Sequence, residues 1–98
     1  MTITKTVDDK SLTLALEGRL DTATAPELDA ELQSSLDGVE TLILDLEKLQ
    51  YMSSAGLRIL LLTQKRMMKQ GQMKVLHVGE TIMEIFEVTG FSEILTIE

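Results

Sequence analysis

The stretch LILDLEKLQYMSSAGLRILL, residues 42–61, joins two hydrophobic patterns and decides the fold. Its first part, Leu42 to Leu46, is a nearly continuous apolar run, which is typical of a strand covered on both faces by helices. Its last part opens a leucine-rich segment with helical spacing, for which we predict a helix from Ser54 to Gln70 that stops at Gly71. A strand that leads directly into a long helix favours an α/β fold.

Toward the N-terminus, the chain predicts a hairpin. Ile3 and Val7 follow one alternation, and the polar residues DDK at 8–10 separate them from a second, stricter alternation. The second alternation consists of Leu12, Leu14 and Leu16. We therefore expect two antiparallel strands with one solvent-facing side.

The segment TAPEL, residues 24–28, carries the start signals of a helix. Thr24 is a favoured N-cap residue, Pro26 is tolerated in the first turn, and Glu27 stands three residues after Thr24, as in a capping box. Gly38 is the predicted stop. Between them lies a leucine stripe: Leu28, Leu32 and Leu36.

Toward the C-terminus, the apolar run Val75 to Val78 predicts a strand parallel to the one at 42–46. A third helix carries apolar residues on one face and ends at Gly90, a natural left-handed C-cap, before a tail that can add a short strand. Its apolar residues are Ile82, Ile85 and Phe86. The predicted order is β-β-α-β-α-β-α. We predict that these elements form one α/β domain over residues 1–98. Its mixed sheet begins with an antiparallel hairpin, continues with parallel strands and is covered by helices.

The composition of the chain limits the kinds of partner that it can bind. Sixteen acidic residues against nine basic ones give a net charge of −7, which disfavours direct nucleic-acid binding and suits a basic protein partner. The basic cluster is interpreted as a solvated helix face and consists of Lys65, Arg66, Lys69 and Lys74. The chain has no cysteine, so thiolate metal sites are excluded, and no metal or cofactor is predicted. No segment is apolar enough for membrane insertion, and a cytoplasmic location is expected.

Catalysis is not expected. A hydrolase that uses Ser54 needs a base, and the single histidine, His77, lies inside the apolar strand KVLHV, where we predict a partly buried structural imidazole. The chain lacks the spacing of a nucleophile elbow and both glycine-rich nucleotide fingerprints. We therefore predict a protein that is not an enzyme.

Two serines stand at the junction between strand and helix, in MSSAGL at 52–57. One interpretation is that Ser53 or Ser54 caps the helix. The other is that a hydroxyl exposed at a helix N-terminus is a phosphorylation site, because free N–H groups and the helix dipole favour a phosphate there. The spacing of the two serines does not decide between capping and phosphorylation.

Three segments, in order and spacing, resemble the STAS domain of bacterial anti-sigma factor antagonists. They are EGRLDTATAPEL at 17–28, LILDLEKLQYMSSAGLRILL at 42–61 and VGETIMEIFEVTGFSEIL at 78–95. The resemblance implies a protein that binds a serine-kinase anti-sigma factor while unphosphorylated and is released when that kinase phosphorylates it. A serine phosphatase restores the unphosphorylated form. Such a protein regulates sigma-factor-dependent transcription.

By position in the resemblance, Ser54 matches the phosphorylated residue, and Ser53, which stands where the family usually has aspartate, is the alternative acceptor. The loop around Asp21 matches the family's partner-binding loop, so we expect the segments 20–24 and 52–57 to lie side by side. The residues implied in partner binding are Asp21, Thr22, Thr24, Met52, Ser53, Ser54, Gly56, Leu57 and Arg58. The alternative is a non-phosphorylated STAS subunit that docks a larger assembly, such as a lipid-transport complex.

Overall fold

The protein consists of one four-stranded sheet and three helices, and the computed structural model describes residues 1–98. The strands are β1 (Thr2–Asp8), β2 (Ser11–Leu20), β3 (Thr41–Met52) and β4 (Gln72–Leu76). The helices are α1 (Ala25–Ser35), α2 (Ser54–Gln70) and α3 (Glu80–Thr89). The sheet order is β1-β2-β3-β4, with β1 antiparallel to β2 and the other neighbours parallel. The predicted mixed α/β fold is confirmed.

The core lies between the three helices and one face of the sheet. Alternate residues of β2, except Gly18, and of the first half of β3 are buried in one cluster with apolar residues of all three helices; Leu14 and Leu44 are examples. The intervening residues, such as Ile43 and Leu76, are only partly buried. The prediction that the strands at 42–46 and 75–78 are covered on both faces is therefore wrong. The apolar Ile43 and Leu76 on the open face made these runs look continuous.

Two irregularities in β3 keep its apolar side chains on the core face. The pairing with β2 shifts between Ala15 and Glu17 and again between Gly18 and Arg19, and each shift adds one residue to β3. The buried positions of β3 consequently change from alternate spacing to steps of three: Leu42, Leu44, Leu46, Leu49 and Met52. Such bulges bend a strand locally and let it stay in register with a shorter partner.

The chain turns at His77, which lies outside β4. His77 has a φ of 57°, its side chain is 57% exposed, and Nδ1 lies 3.0 Å from Oδ1 of Asp45. The predicted structural imidazole inside an extended strand is therefore wrong. A left-handed residue cannot continue a strand, and histidine is one of the side chains that tolerates this conformation.

The helix ends follow local sequence signals only in part. Helix α1 ends at Ser35, three residues before the predicted stop at Gly38. The limits of α2 are those predicted, and Gly90 after α3 has the predicted left-handed φ of 82°. At α1, Thr24 occupies the N-cap position but its side chain makes no capping bond. The tail forms a 3-10 turn at Phe91–Glu93 and pairs with the sheet only through a bridge between Ile97 and Val75. None of the helices combines the length and the apolar character needed to cross a membrane.

Candidate partner-binding surface

The loop that follows β2 and the turn that follows β3 lie side by side at one end of the sheet. Leu20 pairs with Met52 in the parallel register, and the N–H of Ser53 donates to the carbonyl oxygen of Leu20 at 2.8 Å. The predicted proximity of segments 20–24 and 52–57 is confirmed. It arises because parallel strands place their carboxyl ends at the same edge of a sheet.

The loop around Asp21 is held by its own hydrogen bonds. Oδ1 of Asp21 accepts from the N–H groups of Ala23 and Thr24, both at 3.1 Å. The hydroxyl of Thr24 accepts from the N–H of Asp21 at 2.9 Å and donates to the carbonyl of Arg19 at 2.7 Å. The predicted capping box with Glu27 is therefore wrong, because the Thr24 hydroxyl points back to the loop rather than into the helix.

These contacts favour the ionised form of Asp21. The hydrogen bond from the Thr24 N–H, helped by the Thr24 hydroxyl, the Ala23 N–H and the charge of Arg19, lowers the pKa of Asp21 below 3.8, although partial desolvation opposes the shift. A carboxylate that accepts backbone N–H bonds favours its charged form. The surface therefore presents a fixed negative charge at neutral pH.

Asp21→Asn should destabilise the protein at neutral pH, and its effect should shrink in acid. Because the folded pKa lies below the unfolded one, the carboxylate stabilises the fold above the unfolded pKa, and this contribution is lost as the pH falls through the folded pKa. Urea unfolding of both proteins at about pH 7 and about pH 3 measures the difference. Asp9→Asn, at the exposed hairpin turn, is the control and should show little difference at either pH. An Asp21→Asn effect that is independent of pH would contradict the assignment.

The two serines at the start of α2 have different surroundings. Ser53 occupies the N-cap position but makes no side-chain capping bond, and its Oγ is buried without a hydrogen-bond partner. Ser54 is the first residue of α2 and is exposed. Because neither serine makes the capping bond, the interpretation of the pair as a helix cap is not supported. The first turn contains no acidic residue, so its free N–H groups can bind an anion.

Gly56 lets α2 pack directly on the ends of both strands. A Cβ at Gly56 would lie 2.7 Å from Cγ of Leu20 and 3.0 Å from Cγ of Met52, closer than carbon atoms approach without a clash. Met52, Gly56 and Leu57 are themselves buried. These three residues therefore support the surface from below, and their role in partner contact stays a prediction. The exposed or partly exposed members are Asp21, Thr22, Thr24, Ser53, Ser54 and Arg58.

Two residues outside the predicted contact set extend this surface. Arg19 pairs with Tyr51 across the strands, its guanidinium carbon lies 4.4 Å from the centre of the Tyr51 ring, and its Nε lies 3.7 Å from Oδ2 of Asp21. Arg19 alternates with the buried Leu20, a signal that places it on the open face. Tyr51 had no such signal, because the bulges in β3 decide which way it faces.

Comparison with known proteins identifies the family. The model of the STAS domain matches residues 2–98. The chain belongs to the STAS domain family. BtrV of Bordetella bronchiseptica, assigned as an anti-sigma factor antagonist, is 36% identical over 99 residues, which cover 99% of this chain and 85% of BtrV. The anti-sigma-B factor antagonist of Staphylococcus aureus is 31% identical over 97 residues, which cover 97% of this chain and 90% of that protein.

The structure of SpoIIAA from Bacillus in its phosphorylated form has the same fold. Its TM-score to this STAS domain is 0.77 at 20% identity, over 99% of this chain and 91% of that chain. STAS proteins of the anti-sigma factor antagonist type are regulatory binding proteins and not enzymes. The recognised family and the non-enzymatic class predicted for this STAS domain are thereby confirmed.

Proposed function

We propose that this STAS domain is an anti-sigma factor antagonist that acts in the bacterial cytoplasm and is switched by phosphorylation of Ser54. In the unphosphorylated state it binds a serine-kinase anti-sigma factor and frees the sigma factor for transcription. Phosphorylation releases the kinase, and a serine phosphatase restores binding. The observation that carries the proposal is the exposed Ser54 at the start of α2, beside the ordered loop of Asp21. The names of the two relatives support the same role.

Ser54 is preferred over Ser53 as the acceptor because of access. The Oγ of Ser53 is buried, so a kinase could reach it only after neighbouring atoms had moved. The side chain of Ser54 is exposed and needs no such movement. In the transfer, Oγ of Ser54 bonds to the γ-phosphorus of ATP, the bond to the β-phosphate oxygen breaks, ADP leaves, and a base on the kinase takes the hydroxyl proton.

The position of Ser54 separates the effect of a phosphate on the fold from its effect on the interface. A phosphoserine carries about 1.5 to 2 negative charges. At the start of α2, the free N–H groups and the helix dipole stabilise those charges. A partner surface shaped for a neutral hydroxyl and for the carboxylate of Asp21 would have to desolvate them instead. The fold therefore tolerates the modification that the complex does not.

Incubation with the cognate anti-sigma factor and ATP tests the proposal. The wild type and Ser53→Ala should each gain one phosphate in intact-mass spectrometry, whereas Ser54→Ala should gain none. Peptide mapping should place the phosphate on Ser54. A phosphate on Ser53 would contradict the assignment of the acceptor. If neither serine is phosphorylated and the chain co-purifies with a multisubunit assembly instead, the docking-subunit alternative takes its place.

A further inference from the structure

The open face of the sheet carries a cluster of side chains that the switch does not use. Asp45 and Glu47 lie on β3, and His77 lies immediately after β4. One potential ligand atom from each residue lies within 4.8 Å of those of the other two. The closest pair is Nδ1 of His77 and Oδ1 of Asp45, at 3.0 Å. An imidazole and two carboxylates in this arrangement have the chemistry of a metal site.

The sheet brings these residues together from distant parts of the chain. Asp45 pairs with Leu76 in the parallel register, so His77, the next residue, lies close to Asp45. The left-handed backbone of His77 turns the chain at that point, and the imidazole contacts Asp45. Glu47 lies two residues after Asp45, next to the first bulge, and its N–H donates to Oδ1 of Asp45 at 3.1 Å. The register of β3 with its two neighbours therefore holds the cluster.

A surface cavity lies beside the cluster and shares two of its residues. It is the only cavity found in the protein, has a volume of about 250 Å³, and includes Asp45 and Glu47 in its wall. Glu17 adds a third carboxylate, and Lys48 is the single basic residue of the wall. The cavity is therefore a concave, negatively charged site that is open to water. His77 lies outside its wall but contacts Asp45, which is part of the wall.

We propose that Asp45, Glu47 and His77 bind a divalent transition-metal ion of the zinc class. Nδ1 of His77 and one carboxylate oxygen from each acidic residue are the ligands, and water from the cavity completes the coordination. Imidazole favours zinc and similar ions, whereas magnesium and calcium prefer oxygen ligands alone. Zinc is bound at about 2.0 to 2.2 Å by nitrogen and oxygen ligands, so two donor atoms 3.0 Å apart can share one ion. Glu47 is exposed and free to close on it.

Zinc titration of the tag-free full chain tests the site. Calorimetry should show one zinc ion bound per chain. Because the chain has one histidine, the imidazole resonances in the NMR spectrum report directly on His77, and they should shift as zinc is added and saturate at one equivalent. Magnesium at the same concentration should leave them unchanged. Saturation with zinc should also raise the thermal midpoint, since the ion binds only the folded arrangement.

Variants locate the ligands. His77→Asn should fold, because asparagine also tolerates a positive φ, yet lose zinc affinity by at least about tenfold, as should Asp45→Asn and Glu47→Gln. Glu84→Gln makes the same change of charge at an exposed position of α3 and should bind zinc like the wild type. An unshifted imidazole at one equivalent of zinc, unchanged affinity in His77→Asn, or an equal loss in Glu84→Gln would overturn the proposal.

Discussion

Replacing Ser54 with aspartate should weaken binding to the anti-sigma factor by at least about 30-fold, which corresponds to about 2 kcal/mol. This is the lower end of the roughly 2–5 kcal/mol that a charge buried without a partner costs at an interface. The fold should be unaffected, because Ser54 is exposed and a negative charge in the first turn of a helix is favourable. We expect the free energy of unfolding to change by no more than about 0.5 kcal/mol. Calorimetric titration of the anti-sigma factor measures the first effect, and urea unfolding measures the second.

Two variants test whether binding is weakened by a negative charge at position 54 in particular or by any added negative charge. Ser54→Ala should bind like the wild type and resist release by ATP, since it keeps the surface neutral but has no acceptor hydroxyl. Gln33→Glu adds one negative charge at an exposed position near the other end of α1 and should leave affinity close to that of the wild type. If Ser54→Asp binds as tightly as the wild type, or if Gln33→Glu weakens binding equally, local charge at α2 is not the switch.

Gly71→Ala should destabilise the protein strongly, although it adds only one methyl group. A Cβ at Gly71 would overlap the carbonyl oxygen of Glu40, a backbone atom that cannot rotate away. The same carbonyl accepts the N–H of Gln72 at 2.9 Å, at the start of the β3–β4 pairing. Relief of the clash therefore requires that bond to break. We expect a loss of about 2–4 kcal/mol and a fall in the thermal midpoint of roughly 10 °C or more.

The matched control is Gly79→Ala. Gly79 has a φ of −74°, and a Cβ at this position would have no heavy atom within 4 Å, so its methyl group meets neither backbone strain nor a neighbour. Its free energy of unfolding should change by less than about 1 kcal/mol. Thermal and urea unfolding of both variants decide the comparison. Equal stabilities of the two variants would show that the backbone near Glu40 relaxes without cost.

The sequence by itself determined the elements and their order. The alternation of Leu12, Leu14 and Leu16 marks a strand with one buried side, and the leucine-rich run that stops at Gly71 marks the limits of α2. These signals are local, because side-chain period and glycine conformation depend on neighbouring residues. The junction that holds Ser54 followed from the same information, since it lies where one period changes to the other.

Only the tertiary structure decided how the polar groups are used. The bulges in β3 orient Tyr51, the carbonyl of Arg19 draws the Thr24 hydroxyl away from α1, and packing buries the Oγ of Ser53. The same holds for the left-handed His77, whose imidazole meets a carboxylate on the neighbouring strand. Apart from the local contact of Thr24, each outcome depends on the register between segments far apart in the chain. A periodic pattern specifies which face of a strand is buried, but not which distant atoms stand opposite its polar side chains.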